Sequence, residues 1–192
     1  METLHLITPV SRPENLPRLE YSIRGGFRTT NVLWWCLFDE RFGPVPPRLP
    51  WSRIHYWGPG PGQTGAVGYA ARNWAIERIE GGWVYFLDDD NLIHPEFEAA
   101  FHEARRLHPK AGWFIFDQVD AEGTLLRRAT CPPTVGHVDL GQAVIRRDVL
   151  CGFRFREDRY DADGDLFERL AVAVPPVCIP RRASFYNALR CG

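Results

Sequence analysis

Short apolar runs separated by polar turns dominate the first half of the chain. The runs at 4–7, 32–38 and 83–87 are rich in β-branched and aromatic residues. Each is too short for a helix before the next turn, so each predicts a strand, the last two buried on both faces of a sheet. The patterns at 14–24 and 69–79 predict helices. This order of strands and helices predicts a Rossmann-like α/β domain.

Two prolines mark the end of the first predicted strand. Pro9 lacks the amide hydrogen that a strand ladder uses, so the strand is expected to stop before it. Pro13 suits the first turn of a helix, where an amide hydrogen has no partner. We therefore predict a loop at 8–13 between the strand and its helix.

Apolar residues spaced by three and four positions predict an amphipathic helix over 95–107 in the second half. Its apolar stripe is predicted to be core and consists of Phe97, Ala100, Phe101, Ala104 and Leu107. The other predicted elements are a hairpin of strands 112–116 and 124–128, an extended segment 135–145, a helix 166–173 and a strand 177–179.

A segment rich in proline and glycine, 43–68, separates the second predicted strand from the next helix. Only 53–57 within it has a pattern that favours a strand. A connection of this length in a compact domain is either a functional flap or partly disordered, and the sequence favours neither.

Composition narrows the class of protein. A chain of 192 residues has the length of one domain with one core. Its formal net charge of -1 does not suggest a general polyanion binder, so we expect no nucleic-acid partner, while a charged small molecule could still bind at a local site. No run approaches the roughly 20 apolar residues that cross a bilayer, and no basic and apolar leader opens the chain. We therefore expect a soluble, cytoplasmic protein without a transmembrane segment.

The five cysteines are odd in number, far apart and include no Cys-x-x-Cys pair. This usage is typical of reduced thiols in a cytosolic protein, not of a disulfide framework or a zinc site. We therefore expect reduced thiols at all five positions, Cys36, Cys131, Cys151, Cys178 and Cys191.

The central apolar strand runs directly into three carboxylates, Asp88, Asp89 and Asp90. Alternation along an extended chain places Asp88 and Asp90 on one side and Asp89 on the other. Like charges crowded at the carboxyl end of a buried strand need a compensating cation, and Mg²⁺ or Mn²⁺ accepts such ligands. A metal site is therefore predicted here. The alternative is a solvated turn that caps the following helix.

Four further polar residues are candidates for a site. Asp39 follows the second strand, so two predicted strand ends carry acids. Arg72 lies near the start of the helix at 69–79, where backbone amides and the helix dipole favour an anion. The alternative for Arg72 is a surface arginine. Asp139 and Gln142 lie in an apolar frame and need partners, either backbone or a ligand.

An acidic stretch, 156–165, leads into the last predicted helix. It has two interpretations of equal weight. Its carboxylates either stabilise the amino terminus of the helix or include a catalytic group.

The order and spacing of these segments resemble the nucleotide-sugar glycosyltransferases of the A-type fold. The Thr-Pro-x-x-Arg-Pro opening, the Ala-Arg-Asn helix, Asp-Asp-Asp-Asn and the late Asp-rich helix start carry the resemblance. It is closest to glycosyltransferase family 2 and the related glucuronyltransferases of family 43, and it spans residues 4 to about 170. It implies a single α/β domain over 1–192, with a mostly parallel Rossmann-like central sheet flanked by helices. The donor half is 1–91, and the half for the acceptor and the catalytic base is 92–192.

The resemblance also implies roles in binding the nucleotide. Thr8, Pro9 and Arg12, together with Asp39, match the pocket for the nucleotide base. Arg72 matches the arginine that contacts the donor nucleotide.

The acidic triplet matches the Asp-x-Asp motif of these enzymes. Asp88 lies near the ribose in this match, Asp89 belongs to the donor-binding segment, and Asp90 ligates Mn²⁺ or Mg²⁺ that bridges the diphosphate. Asp88 is the second candidate ligand of the metal. Arg181 or Arg182 is expected to help position the donor.

The acceptor and the base follow from the second half of the match. Asp139 and Gln142 match the region that lines the acceptor. Asp163 matches the catalytic base, and Asp165 is the fallback because Ala162 stands where the family usually has glutamate.

The activity implied is a metal-dependent, inverting transfer of a sugar from a nucleotide-diphosphate donor, UDP-linked by expectation, to an acceptor hydroxyl. A processive polymer synthase is not expected, because the chain has no membrane-associated helices after the domain. The alternatives are a non-catalytic module that binds a nucleotide sugar or carbohydrate, and a sugar-phosphate nucleotidyltransferase. The latter is disfavoured because no glycine-rich basic loop follows the first strand.

Overall fold

The structure is a computed structural model that describes residues 2–39, 52–57 and 68–190, with the backbone alone at 39 and 52–57. The strands are β1 (Leu4–Val10), β2 (Val32–Asp39), β3 (Ser52–Trp57), β4 (Trp83–Phe86), β5 (Leu92–Ile93), β6 (Trp113–Val119), β7 (Leu125–Arg127), β8 (Ala143–Arg146) and β9 (Val177–Phe185). The helices are α1 (Leu16–Gly26), α2 (Tyr69–Arg78), α3 (Phe97–Leu107) and α4 (Ala162–Ala173), with 3₁₀ turns at Pro13–Asn15 and Leu140–Gln142.

The nine described strands join one sheet in the order β3-β2-β1-β4-β8-β6-β9-β5, with β7 paired to β6. The strands β3, β2, β1 and β4 are parallel, as a Rossmann-like half requires. Beyond β4 the sheet is mixed, because β8 is antiparallel to both of its neighbours while β6 and β9 are parallel. The predicted α/β fold with a central sheet flanked by helices is confirmed, with a mixed sheet in which the amino-terminal half is wholly parallel.

The first strand continues through Pro9 to Val10, so the expectation that it stops before Pro9 is wrong. The amide of Leu4 donates to the carbonyl of Asn31 on the β2 side. By alternation, the nitrogen of Pro9 faces the β4 side. β4 ends before it reaches Pro9, so no ladder bond is lost there.

The core has two layers, one on each face of the sheet. In β4, Trp83 and Tyr85 pack with α1 and α3, whereas Val84 and Phe86 pack with α2 and α4. All four side chains are buried, which confirms a strand covered on both faces. The burial of both faces fixes the register of β4 and therefore the direction in which the acidic triplet leaves the sheet.

Most of the other predicted elements are confirmed with shifted ends. β6 and β7 form the predicted hairpin. In α3 the predicted stripe is buried except for Leu107, the last helical residue, which is 55% exposed. The last strand is longer than predicted and runs to Phe185, so Arg181 and Arg182 lie inside it.

Two of the cysteines are joined, which corrects the expectation of five reduced thiols. Cys131 and Cys178 form a disulfide between residues 47 positions apart in sequence. Cys36 is a buried thiol and Cys151 an exposed one. The two partners lie far apart in sequence, so their pairing depends on the packing of the loop after β7 against β9. Of the helices in the described ranges, none has the length and apolar character needed to span a bilayer.

Candidate active site

The acidic triplet forms a tight turn at the end of β4. The amide of Asn91 donates to the carbonyl of Asp88 at 3.1 Å. Because the chain turns here, the side chains no longer alternate as they would along a strand. Arg12 Nη1 lies 2.8 Å from Asp89 Oδ1 and 3.4 Å from Asp90 Oδ2. The expectation that Asp89 points to the opposite side from Asp90 is therefore wrong, because both carboxylates lie at the same guanidinium.

Asp89 anchors the loop that follows β1. Its Oδ2 accepts hydrogen bonds from the amides of Ser11 and Arg12, both at 2.6 Å, and from the Ser11 hydroxyl at 2.9 Å. Its Oδ1 accepts from the Arg12 guanidinium, and its side chain is buried. With both oxygens used by the protein, Asp89 positions this loop instead of contacting a donor as expected.

The four residues expected to line the nucleotide-base pocket have four different environments. Thr8 is completely buried, and its hydroxyl accepts a hydrogen bond from the Trp34 indole at 2.9 Å, so its side chain belongs to the core. Pro9 packs closely against Gly68, where an added Cβ would lie 2.9 Å from the proline ring. Arg12 is the partly exposed member that reaches the acidic turn. The side chain of Asp39 lies outside the described residues.

Arg72 is buried in the first turns of α2 and forms an ion pair with Asp88. Its guanidinium also lies 5.4 Å from the centre of the Tyr69 ring. The Asp88 side chain is one third exposed, and one of its oxygens takes part in no hydrogen bond within the described residues. Burial raises the pKa of Asp88 to about 6, against the opposing effect of Arg72, and the nearby acids Asp139 and Asp90 add to the rise.

Asp163 faces this ion pair from the first turn of α4. Burial raises the pKa of Asp163, the charge of Asp139 raises it further, and Arg72 lowers it. Burial also raises the pKa of Tyr69, and the next contribution comes from the charge of Asp163. The charges of Asp88, Asp139 and Asp163 therefore influence one another near the carboxyl end of β4, and Arg72 acts on both Asp88 and Asp163.

Asp165 has a different environment, and the expectation that it serves as a fallback base is wrong. Its Oδ1 pairs with Arg159 at 3.2 Å and Arg156 at 3.4 Å, and its Oδ2 with Arg169 at 2.9 Å. Residues two positions apart on a helix, such as Asp163 and Asp165, point to different faces. Three guanidiniums hold Asp165 as a buried structural ion, so Asp163 is the carboxylate of this pair that lies in the site.

Asp139 and Gln142 form a capping box on the 3₁₀ turn before β8. Asp139 Oδ1 accepts from the amide of Gly141 at 2.9 Å and from Gln118 Nε2 at 2.8 Å. Gln142 is completely buried. Its Oε1 accepts a hydrogen bond from the amide of Asp139, and its Nε2 donates to the carbonyl of Phe116. The expectation that Gln142 contacts an acceptor is therefore wrong, and Gln142 instead orients Asp139.

The two arginines of β9 lie away from the acidic turn. Arg181 faces α3 and pairs with Glu96 and Glu103, at 3.7 and 3.4 Å. Arg182 is exposed and makes no ion pair within the described residues. The expectation that either positions the donor is not met by these contacts.

A different arginine, Arg190, lies at the acidic turn and was missed by sequence reasoning. Its Nε is 3.7 Å from Asp90 Oδ2. The amide of Leu189 donates to the carbonyl of Asp90 at 2.9 Å, and the amide of Asn187 donates to Asn91 at 2.8 Å. These backbone bonds dock the segment after β9 on the turn. Nothing local in the sequence around Arg190 signals this contact.

The oxygens of Asp88 and Asp90 are the candidate ligands of a divalent cation. One oxygen of each takes part in no ion pair within the described part of the chain. No group of three acidic, histidine or cysteine side chains there is arranged to hold a metal. Mg²⁺ and Mn²⁺ are commonly bound by one or two carboxylates, with phosphate and water in the other positions. Two carboxylates fit such an ion when a phosphorylated ligand completes its shell.

Comparison with solved structures defines the class of fold. The chain has the fold of the A-type glycosyltransferases, as expected from the sequence. It is similar to the structure of S. aureus TarS 1-349, with a TM-score of 0.71 and 14% identity over 95% of this chain and 60% of that one. The TarS complex with UDP-GlcNAc gives 0.71 and 15% over 97% and 58%, and the complex with UDP gives 0.70 and 14% over 97% and 60%. The chain thus spans about three fifths of these structures. No protein-family profile and no curated protein matches it.

Proposed function

We propose that the protein is a metal-dependent, inverting glycosyltransferase that uses a UDP-linked sugar. The observation that supports this most is the placement of Asp163 beside the Asp88–Arg72 ion pair at the carboxyl end of the parallel strands. Ligands of open α/β sheets bind at this edge. The similar TarS structures hold UDP-GlcNAc and UDP, which supports a nucleotide-sugar donor.

In this proposal, the donor diphosphate binds at the acidic turn. Asp90 and Asp88 would hold Mn²⁺ or Mg²⁺, which supplies positive charge to the diphosphate as the leaving group. The guanidiniums of Arg12 and Arg190 lie beside Asp90 and add charge-assisted hydrogen bonds to phosphate oxygens. Arg72 orients Asp88 through their ion pair.

Asp163 is the proposed base. Its carboxylate accepts the proton of the acceptor hydroxyl while that oxygen bonds to the anomeric carbon and the bond to the diphosphate breaks. A carboxyl group whose pKa is raised toward the working pH is a stronger base, and burial raises the pKa of Asp163. A single displacement from the face opposite the leaving group inverts the anomeric configuration.

The test is a donor screen by thermal unfolding with and without Mn²⁺, using UDP, UDP-GlcNAc, UDP-glucose and an adenine control, ADP-glucose. A ligand at one hundred times its dissociation constant stabilises the folded state by about 2.7 kcal/mol. We expect stabilisation by the uridine compounds that is larger with Mn²⁺ and absent for ADP-glucose. No shift with any uridine compound would contradict the proposal.

A non-catalytic module that binds nucleotide sugars is the second candidate. It is favoured by Ala162, which fills the position where the related enzymes usually have glutamate and which is completely buried. Slow release of UDP from a bound donor in the presence of Mn²⁺ separates the two, because a transferase leaks to water whereas a binding module leaves its ligand intact.

A further inference from the structure

A basic pocket lies between the end of the β6–β7 hairpin and the segment around residues 136–137. It has a volume of about 390 Å³, and its lining residues are Leu126, Arg127, Arg128, Thr130, Gly136 and His137. This volume suits one small ligand such as a phosphorylated sugar. We propose that this pocket binds an anionic group, a phosphate or a carboxylate, of the acceptor, an inference that rests on the proposed glycosyltransferase function.

The charges of the pocket are the first argument. Arg127 and Arg128 form no ion pair with any carboxylate of the described residues. The carboxylate of Asp117, which is close in sequence, accepts a hydrogen bond from the backbone amide of Ala129 at 2.7 Å. Two guanidiniums without a carboxylate partner, beside the His137 ring and the Thr130 hydroxyl, supply donors that match a phosphate or a carboxylate.

The guanidinium of Arg127 is held in a fixed position. Its Nη1 donates to Gln118 Oε1 at 2.8 Å, and its centre lies 4.4 Å from the Tyr186 ring centroid. Both contacts restrict the rotation of the guanidinium. The side-chain entropy that is lost when an anion binds is therefore smaller. Arg128 is exposed and provides the second positive charge.

Two structural links connect the pocket to the carboxylates of the proposed site. Gln118 is completely buried and joins Arg127 to Asp139, since its Nε2 donates to Asp139 Oδ1 at 2.8 Å. The loop segment that carries Gly136 and His137 also packs on the start of α4. A Cβ added to Gly164, the residue after Asp163, would lie 2.7 Å from Val135 Cα.

These links connect the lining of the pocket to Asp139 and to the start of α4, the helix that carries Asp163. An acceptor whose anionic group occupies the pocket would extend its hydroxyl toward the carboxylate of Asp163. A nucleotide donor, with its diphosphate near Asp90, would occupy the other end. The pocket therefore selects for charge in the acceptor, whereas the acidic turn selects the donor.

The test is calorimetric binding of glucose 6-phosphate, glucuronate and glucose, each with and without saturating UDP. The variants are Arg128→Glu and a matched control, Arg106→Glu, which makes the same charge change at an exposed position of α3. We expect glucose 6-phosphate to bind the wild type, to bind the Arg128→Glu variant at least about tenfold more weakly, and to bind the control within twofold. Binding of glucuronate with the same loss shows that a carboxylate suffices, and its absence restricts the pocket to phosphate.

Three results would overturn the inference. They are equal affinity of the two variants for glucose 6-phosphate, equal affinity of the wild type for glucose and glucose 6-phosphate, or displacement of glucose 6-phosphate by UDP. The affinity for UDP, measured alone in the same experiment, is expected to be the same in all three proteins. Failure of the wild type to bind UDP would contradict the proposed function, while the response of the two variants to glucose 6-phosphate would still decide whether the pocket binds anions.

Discussion

Asp89 accepts hydrogen bonds from both the backbone amide and the guanidinium of Arg12, at 2.6 and 2.8 Å. The two residues lie 77 positions apart, so this pair ties the end of β4 to the loop after β1. Replacing Asp89 with alanine removes the acceptor of two backbone amides and the nearer of the two carboxylates that pair with the Arg12 guanidinium. We expect the free energy of unfolding in urea to fall by about 2 to 4 kcal/mol.

The matched control for Asp89 is Asp158→Ala, at an exposed site in the same protein. We expect that variant to change the free energy of unfolding by less than about 0.5 kcal/mol. Equal stability of the two variants would show that Asp89 does not anchor the loop.

Glu98 gives stability a defined dependence on pH. Burial alone would raise its pKa, but hydrogen bonds from the backbone amides of Arg28, Thr29 and Thr30 outweigh burial and lower the pKa to about 2. The folded state therefore favours the ionised carboxylate. Its contribution is complete above the ordinary value of 4.5 and is lost as pH falls from there toward 2.

The variant Glu98→Gln tests this contribution. At pH 7 we expect it to be less stable than the wild type by about 2 to 3 kcal/mol, and we expect the difference to shrink as the pH of the urea titration is lowered below 4. A difference that is constant between pH 7 and pH 3 would contradict the assignment.

The disulfide between Cys131 and Cys178 is expected to stabilise the fold. Closing a loop of this length restricts the unfolded chain by about 3 to 4 kcal/mol in the chain-entropy account. Reduction, or the variant Cys178→Ser, should lower the free energy of unfolding by an amount of this order. Cys151→Ser, at the exposed free thiol, is the control and should leave stability unchanged. Peptide mapping that recovers Cys131 and Cys178 only as separate thiols would contradict the pairing.

Asp90 is expected to couple metal and nucleotide. In the variant Asp90→Asn, the gain in UDP affinity on adding Mn²⁺ should fall at least about tenfold, because one of the two carboxylate ligands is lost. Binding of UDP without metal should change little. Calorimetric titration of UDP with and without Mn²⁺ measures both quantities, and an unchanged response to Mn²⁺ would remove Asp90 from the metal site.

The sequence predicted the parallel half of the sheet because its strands are apolar on both faces and are separated by clear turns. The resemblance to the A-type glycosyltransferases implied donor-binding roles for both Arg72 and Asp88, and the structure pairs these two side chains. The contact of Arg190 with Asp90 depends on a side chain from a distant segment, and it leaves no local pattern because any exposed arginine in the chain is an equal candidate for that acid. The three arginines around Asp165, in contrast, are close to it in sequence, and Arg169 lies one helical turn after it. The sequence did not show that Asp163 instead lies near the Asp88–Arg72 ion pair, because that pair comes from other elements of the fold.

Pro9 and Gln142 show two further limits of local patterns. A proline ends a strand only where its nitrogen faces a neighbouring strand, and the sequence does not give the length of that neighbour. Polarity marks Gln142 as a residue that needs partners, but only the fold shows that backbone groups and Asp139 satisfy its amide. In both cases the missing information was which segments lie side by side.

Asp165, at the start of α4, is expected to contribute to the stability of the fold and not to the proposed chemistry. Because three arginines surround it, Asp165→Asn should lower the free energy of unfolding by about 2 to 4 kcal/mol, as breaking a largely buried ion pair does. Any loss of activity in that variant should follow its loss of folded protein. Full stability of Asp165→Asn in a urea titration would contradict this structural role.

The most direct test of the proposed chemistry is the rate at which the variant Asp163→Asn releases UDP from UDP-GlcNAc in the presence of Mn²⁺. The variant Asp158→Asn is the control. The variant Asp163→Asn keeps the shape of the side chain but removes the carboxylate that accepts the proton. We expect its rate to fall at least about 10²-fold, with UDP affinity and stability close to those of the wild type and the control. An Asp163→Asn protein that releases UDP as fast as the wild type would contradict the account.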